Sequence, residues 1–187
     1  FEDGKNNPDV TWEKALKNNY GVDMNFFDDH LSTSFDYFTE DRKDILLSDG
    51  TAPGILGFNL PTANLGRVKS WGWELSLKWN DKIGSDFRYN VGVNLMYNQN
   101  KIVENKESPK DFEYMSLKNR RIGVRSQYQF FEYYNSETTP QRYKDVYGAE
   151  MPVQLAGENL KNGDCVYVDL SGDGIISDSD MSRDLGF

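Results

Sequence analysis

Residues 73–97 read WELSLKWNDKIGSDFRYNVGVNLMY, and their alternation decides the fold class. In the first half, Trp73, Leu75, Leu77 and Trp79 occupy the odd positions, with Glu74, Ser76 and Lys78 between them. In the second half, Phe87, Tyr89, Val91, Val93, Leu95 and Tyr97 alternate with Arg88, Asn90, Gly92, Asn94 and Met96. A period of two gives each half one apolar and one polar face, the pattern of a β-strand. The polar residues 81–86 between them form a short turn. The second strand has ten steps, about 33 Å at roughly 3.3 Å per step. Tilted by about 40°, it rises about 25 Å, the height of the apolar band of a membrane β-barrel. Aromatics stand at both ends of that strand, and Trp73 and Trp79 bracket its neighbour, as in an interfacial girdle.

Working outward, an earlier pair repeats the pattern. Val22, Met24 and Phe26 alternate with Asp23 and Asn25; after the turn Asp28-Asp29-His30, Leu31, Thr33, Phe35 and Tyr37 alternate with Ser32, Ser34 and Asp36. The reading is four strands in two hairpins, about 10–40 and 71–98. The turns at one end are short. The connections at the other, about 41–70 and 99–187, are long, and that asymmetry places them outside the cell. Four strands cannot close a barrel, since the smallest need about eight and open edges are not tolerated in lipid. The chain is therefore expected to be part of something larger. The alternative all-β reading is a soluble, calcium-stabilised β-sandwich that binds at the cell surface. In a barrel Leu75, Leu77, Val91 and Val93 face lipid; in a sandwich they face each other.

Composition narrows the function classes. The chain has 187 residues, with 11 Tyr, 11 Phe and 4 Trp, an aromatic content of 14% that argues against disorder. Mean hydropathy is −0.72, which alternating lipid-facing and lumen-facing residues produce as readily as a soluble fold does. No run reaches the roughly 18–20 apolar residues of a membrane helix, and no signal-peptide pattern is visible. The net charge of −9 makes nucleic acid an unsuitable partner, because phosphate binding needs clustered Lys and Arg. Cys165 is the single cysteine, so no internal disulfide can form, and His30 is the single histidine, set in a turn, which argues against zinc sites and His-based triads. No P-loop, GxSxG or dinucleotide fingerprint occurs, and no hydrolase pair can be picked from 30 acids without geometry.

Residues 169–180, DLSGDGIISDSD, have the spacing of a 12-residue EF-hand-like calcium loop. Asp169, Ser171, Asp173 and Asp180 put oxygens at positions 1, 3, 5 and 12; Gly174 allows the sharp turn at 6; Ile175 offers a backbone carbonyl at 7. Ser177 at 9 would ligate through water, and Ile176 at 8 is the apolar anchor. Position 12 is Asp where Glu is usual, position 3 is only Ser, and no helix pair flanks the loop, since 165–168 reads as a strand. The expectation is a weak structural Ca²⁺ site, in the roughly 10⁻⁴–10⁻³ M class. An Asp/Gly-rich turn held by its own hydrogen bonds has the same composition. Two weaker features are an apolar Gly/Pro-rich stretch, 50–61, and the aromatic run 127–134, which suits sugar stacking or packing against neighbouring segments.

Five stretches also resemble one family in order. They are Asn7-Pro8-Asp9-Val10-Thr11-Trp12-Glu13; Tyr20-Gly21-Val22-Asp23 with Phe26-Phe27; LSTSFDYF at 31–38; Leu60-Pro61 with NLGRVKSWGWE at 64–74; and Asn162-Gly163-Asp164 with 169–180. Together they resemble the SusC/RagA-type TonB-linked outer-membrane proteins. Ser70 stands where Asn is usual, and Cys165-Val166 is a hydrophobic departure before the acidic loop. The resemblance implies a late section of an antiparallel transmembrane β-barrel of about 22 strands with a plugged lumen, embedded in outer-membrane lipid. It implies active import of oligosaccharides or peptides, driven by the TonB complex through parts absent from this chain. A SusD-like surface lipoprotein would be its partner, and such importers are not enzymes.

Overall fold

The computed structural model describes residues 7–49 and 61–184. The chain divides into two compact units, Phe1–Ser108 and Pro109–Phe187. The first is one antiparallel sheet of four strands in the order β1-β2-β3-β4: β1 (Lys14–Phe26), β2 (Leu31–Leu47), β3 (Ala63–Ile83) and β4 (Phe87–Glu104). The two tight connections at one end are residues 27–30 and 84–86.

The register carries the alternation across all four strands. Tyr20 pairs with Tyr37, Tyr37 with Trp73, and Trp73 with Tyr97, so one aromatic row crosses the whole sheet. Trp73 stacks on Tyr97 at 6.3 Å and on Phe35 at 6.4 Å. The next rows on that face are Val22/Phe35/Leu75/Leu95 and Met24/Thr33/Leu77/Val93. Near the tight turns Phe27 and His30 lie against Trp79 at 5.9 and 6.0 Å, and Phe87 stacks on Tyr89. The opposite face carries Ser34, Asp36, Glu74, Ser76, Asn94 and their neighbours. Among the described residues of this unit no second layer covers the apolar face: Val91 is 58% exposed and Leu95 49%. A sandwich buries this face, so the unit does not form the sandwich that the sequence left open.

The strands run further than the alternation shows. The second hairpin extends over 63–104 instead of 71–98, and the first reaches 47 instead of 40, so much of 41–70, expected as loop, is sheet. The reason is a β-bulge between Arg42 and Ile45, where Asp44 has φ 60°. A bulge shifts the face of every later residue and erases a period of two. Around it charged groups stand among apolar ones such as Ile45 and Leu46, and Arg67 bonds to Asp41 through two contacts of 2.9 and 2.6 Å. The Asn64 side chain continues the ladder where backbone partners stop. It accepts from Thr11 N–H at 2.8 Å and donates to the carbonyls of Thr11 (2.8 Å) and Asp44 (2.6 Å). Of the Gly/Pro-rich stretch, residues 50–60 lie outside the described residues.

The second unit, expected as loop, has its own small core. It contains β5 (Gln127–Tyr128) paired with β8 (Met181–Ser182), β6 (Phe130–Tyr133) paired with β7 (Cys165–Tyr167), and α1 (Thr139–Tyr147). Tyr143, Val166, Val168 and Ile176 are its buried apolar side chains. Gln154 lines its side chain against Tyr167, accepting that residue's N–H at 2.7 Å and donating to its carbonyl at 3.2 Å. Side-chain amides and aromatic rings replace long ladders here, so no periodicity announces the unit.

Gly72 shows how close the sheet's polar face is packed. A Cβ there would sit 2.3 Å from the Tyr97 carbonyl oxygen and 2.6 Å from the Phe38 ring. At Gly92 the nearest atom, the Leu77 carbonyl oxygen, would be 3.7 Å away. Overpacking of the first kind costs about 1–3 kcal/mol or more. Gly72→Val in the full protein is expected to lower the yield of heat-modifiable, folded barrel on a semi-native gel several-fold, while Gly92→Ala leaves it unchanged. Equal yields for the two would show that the Phe38–Gly72 contact carries no stability.

Candidate functional site

The acidic loop folds as a closed bowl. Asp169, Asp173 and Asp180 bring one carboxylate oxygen each to within 4.8 Å of one another. Oxygens on a shell about 2.4 Å from a Ca²⁺ ion are at most about 4.8 Å apart, so the three fit one cation. None of the three is in an ion pair with Lys or Arg among the described residues. Gly174, with φ 85°, makes the turn expected at position 6, in a region that an L side chain rarely adopts.

Each loop residue has a definite local job. Asp169 accepts the N–H groups of Gly172 (2.6 Å) and Gly174 (2.8 Å), which winds the chain around its carboxylate. Ser171 at position 3 turns its hydroxyl onto Asp169 at 3.2 Å. Asp173 is exposed and accepts the Ile175 N–H at 2.9 Å. Ser177 caps the short 3₁₀ turn Asp178–Asp180 by accepting from Ser179 N–H at 3.2 Å, so its hydroxyl is engaged within the loop. Ile176, the anchor at position 8, is buried at 4% exposure.

The backbone of Ile175 is held by a neighbour that sequence reading does not find. Val153 forms a parallel bridge with Ile175: Val153 N–H donates to the Gly174 carbonyl at 2.9 Å, and Ile176 N–H donates to the Val153 carbonyl at 2.8 Å. In such a bridge the bridged residue's own N–H and C=O point away from the partner. The Ile175 N–H does so and is taken by Asp173 at 2.9 Å. Tyr143 is the other unforeseen support. It is buried on α1, and its hydroxyl accepts the Asp169 N–H at 3.0 Å. Burial pushes its pKa up, and the Asp169 carboxylate adds to the rise.

Asp180 is fully buried, at 0% exposure. Its Oδ1 accepts the N–H groups of Leu170 and Ser171, each at 2.9 Å, and its Oδ2 accepts that of Ser177 at 2.8 Å. Burial alone would raise its pKa, but hydrogen bonds from Ser171, Ser177 and Leu170 outweigh that and hold it below the ordinary Asp value of 3.8.

The comparisons bear on the whole chain. Residues 2–173 match the family described as TonB dependent receptor-like, beta-barrel. The chain belongs to the TonB-dependent receptor β-barrel family. This is a family of outer-membrane receptors and transporters. TonB-dependent receptor P3 of Formosa agariphila is 28% identical over 182 residues, which is 93% of this chain and 18% of that protein. TonB-dependent receptor P39 of the same organism is 33% identical over 98 residues, 52% of this chain and 9% of that protein. TonB-dependent receptor SusC of Bacteroides thetaiotaomicron is 26% identical over 179 residues, 93% of this chain and 17% of that protein. Among solved structures, the RagAB peptide transporter aligns with a TM-score of 0.53 at 26% identity, over 70% of this chain and 14% of that one. The RagAB peptide importer in its closed-closed state reaches 0.58 at 20% identity over 95% of this chain and 18% of that one, a likeness of fold alone. The SusC/RagA resemblance read from five motifs is thus borne out. This TonB-dependent receptor section spans 9–18% of the length of these curated relatives.

The Asp180 network sets a pH dependence. A depressed carboxylate pKa adds stability that is present above the unfolded value, near 3.8, and is lost as pH falls below it toward the folded value. Amide exchange at Leu170, Ser171 and Ser177 in the full protein is expected to stay slow from pH 7 to about 4.5, after correction for intrinsic rates, and to accelerate below about 3.8. Asp180→Asn is expected to cost about 2–3 kcal/mol at pH 7 and to flatten that profile, since hydrogen bonds to a charged acceptor are worth about 1.5–3 kcal/mol each. A profile as steep in the variant as in the parent would put the titrating group elsewhere.

Proposed function

We propose that these strands are four neighbouring staves of an outer-membrane, TonB-dependent importer of nutrients, taking up oligosaccharides or peptides. The observation that carries this reading is the sheet's single uncovered apolar face, crossed by an in-register aromatic row. The ten steps of β3 from Trp73 to Ile83 rise about 25 Å at a tilt of about 40°, enough to cross the hydrocarbon layer. Lipid covers that face, and the polar face lines the lumen. The tight turns 27–30 and 84–86 lie in the periplasm, and the long connections lie outside the cell. The barrel acts with a SusD-like lipoprotein and draws energy from the TonB complex through other parts of the protein. The likeness to the RagAB peptide transporter supports peptides among the cargoes.

Within this reading the loop 169–180 binds Ca²⁺ as a structural ion. Asp169, Asp173 and Asp180 would hold it, with the Ile175 carbonyl and the Ser171 hydroxyl completing the shell. The ion would neutralise three converging carboxylates that form no ion pair with Lys or Arg among the described residues.

Two measurements test the reading. A fluorophore at Val93→Cys in the full protein, reconstituted in vesicles, is expected to be quenched by a lipid-borne quencher, while one at Asn94→Cys is not. Quenching at Asn94 but not Val93, or at neither, overturns the barrel orientation. For the loop, Ca²⁺ at about 10 mM is expected to slow amide exchange at 169–180 at least about tenfold, and Asp173→Ala to abolish the effect. Equal protection by Mg²⁺, or none by Ca²⁺, leaves a turn held by hydrogen bonds alone.

A further inference from the structure

The two ends of the acidic loop are held by different parts of the second unit. At the entry end, Tyr167 N–H donates to the Gln154 side chain at 2.7 Å, Val168 N–H to the Gln129 carbonyl at 2.9 Å, and Asp169 N–H to the Tyr143 hydroxyl at 3.0 Å. At the exit end the grip comes from the segment 112–120, near the start of the unit. Tyr114, in the 3₁₀ turn Glu113–Met115, donates its hydroxyl to the Ser179 carbonyl at 2.7 Å, and its own carbonyl accepts the Arg183 N–H at 2.8 Å. The Arg183 guanidinium donates to the Met115 carbonyl, and Arg120 pairs with Asp184 at 2.8 Å. These contacts fasten 112–120, as a strap, to 179–184. The exit strand β8 also pairs with β5, but through Gln127/Ser182 and Tyr128/Met181 alone, a ladder too short to fix this end by itself.

Asp180 is the joint between the two ends. It belongs to the exit, yet its carboxylate accepts the N–H groups of Leu170 and Ser171 at the entry, each at 2.9 Å. Asp169 at the entry and Asp180 at the exit are also two of the three carboxylates whose oxygens converge within 4.8 Å. Converging carboxylates repel, so the closed loop works against like charge, and a divalent cation between them turns the repulsion into a bridge. We propose that Ca²⁺ in the loop latches the strap 112–120 onto the rest of the unit. The inference rests on the calcium reading above and adds what the ion controls. Tyr114 grips Ser179, next to Asp180, and Arg183 lies three residues on, so drawing Asp180 out of the bowl pulls on both grips. Opening the loop and opening the strap then form one event. An ion that binds only the closed state stabilises every part of that event equally, by a factor of 1 + [Ca²⁺]/Kd. With a Kd of about 10⁻⁴–10⁻³ M, the latch closes in response to Ca²⁺ outside the cell at concentrations of the same order.

Amide exchange of the full protein, with and without Ca²⁺ at about 10 mM, tests the latch. In the parent, the amides of 112–120 and of 169–180 are both expected to slow at least about tenfold, by factors that agree within about twofold. Asp173→Ala should remove both responses. Tyr114→Phe/Arg183→Gln cuts the side-chain grips. The loop should then keep its response, which also shows that the unit is folded, while the response of the strap falls below about twofold. If the double variant loses the loop response as well, Tyr114→Phe is read in its place, with a several-fold smaller strap response expected. A parent in which the loop responds and the strap does not overturns the latch and leaves the calcium reading standing, and an undiminished strap response in the variants does the same. A parent in which neither segment responds overturns the calcium reading itself, and the latch with it.

Discussion

The interaction on which the first unit depends is the hydrogen-bond ladder between adjacent strands. In lipid no water replaces a missing partner, so each N–H and C=O has to be satisfied by a neighbouring strand. That requirement fixes the register, and the register fixes the faces. Because side chains alternate, a ladder that joins Tyr20, Tyr37, Trp73 and Tyr97 also joins Gly21, Asp36, Glu74 and Met96 with their polar neighbours on the other side. Face segregation is thus a consequence of pairing, and the segregated faces supply a lipid contact and a lumen lining from the same four strands. Gly72 belongs to this logic, since the Phe38 ring occupies the space that its side chain would need.

The second unit meets the same demand with different means. Its strands are two to four residues long, too short for ladders to organise it. Side chains act as backbone surrogates instead. Gln154 serves both polar groups of Tyr167, and Asp180 collects three N–H groups from both ends of the acidic loop. The network curls the loop locally, and the Tyr143 hydroxyl and the Val153 bridge hold its backbone from outside the loop. A bowl held in this way presents its carboxylates preorganised.

This contrast explains what the sequence disclosed. The strands from 73 to 97 were legible because a buried or lipid-covered face forces a strict period of two, and the acidic loop was legible because backbone curvature demands Gly174 at one position and oxygens at others. The extensions 41–47 and 63–70 were hidden by the bulge at Asp44, which breaks the parity on which the reading relies. The helix Thr139–Tyr147 was hidden differently. It carries Pro140 in its first turn, a usable start signal, but it packs through Tyr143 and Tyr147 amid polar residues and shows no clear apolar stripe. The roles of Gln154, Val153 and Tyr143 at the loop arise from contacts 13 to 26 residues away in sequence, which no local pattern encodes.

The position of the irregularities is itself informative. From Leu31 to Arg42 on β2, and from Val68 to Ile83 on β3, pairing runs without a shift. In the four-stranded sheet every register break among the described residues lies beyond the Trp71 row, at Arg42/Ile45, Ile45/Leu46 and Arg67/Val68. A one-residue slip inside the band would turn Leu75, Leu77, Val91 and Val93 toward the lumen and Glu74, Ser76 and Asn94 toward hydrocarbon, at about 2–4 kcal/mol for a charged side chain near the midplane. Beyond the band charged side chains stand among apolar ones such as Leu16, Ile45 and Ile102 and neither face is uniformly apolar, so the same slip costs less. There the sheet tolerates a bulge, and the Asn64 side chain can stand in for a strand partner. The boundary between strict and relaxed register falls just beyond the Trp71 row, on the far side of the aromatic row that crosses the sheet.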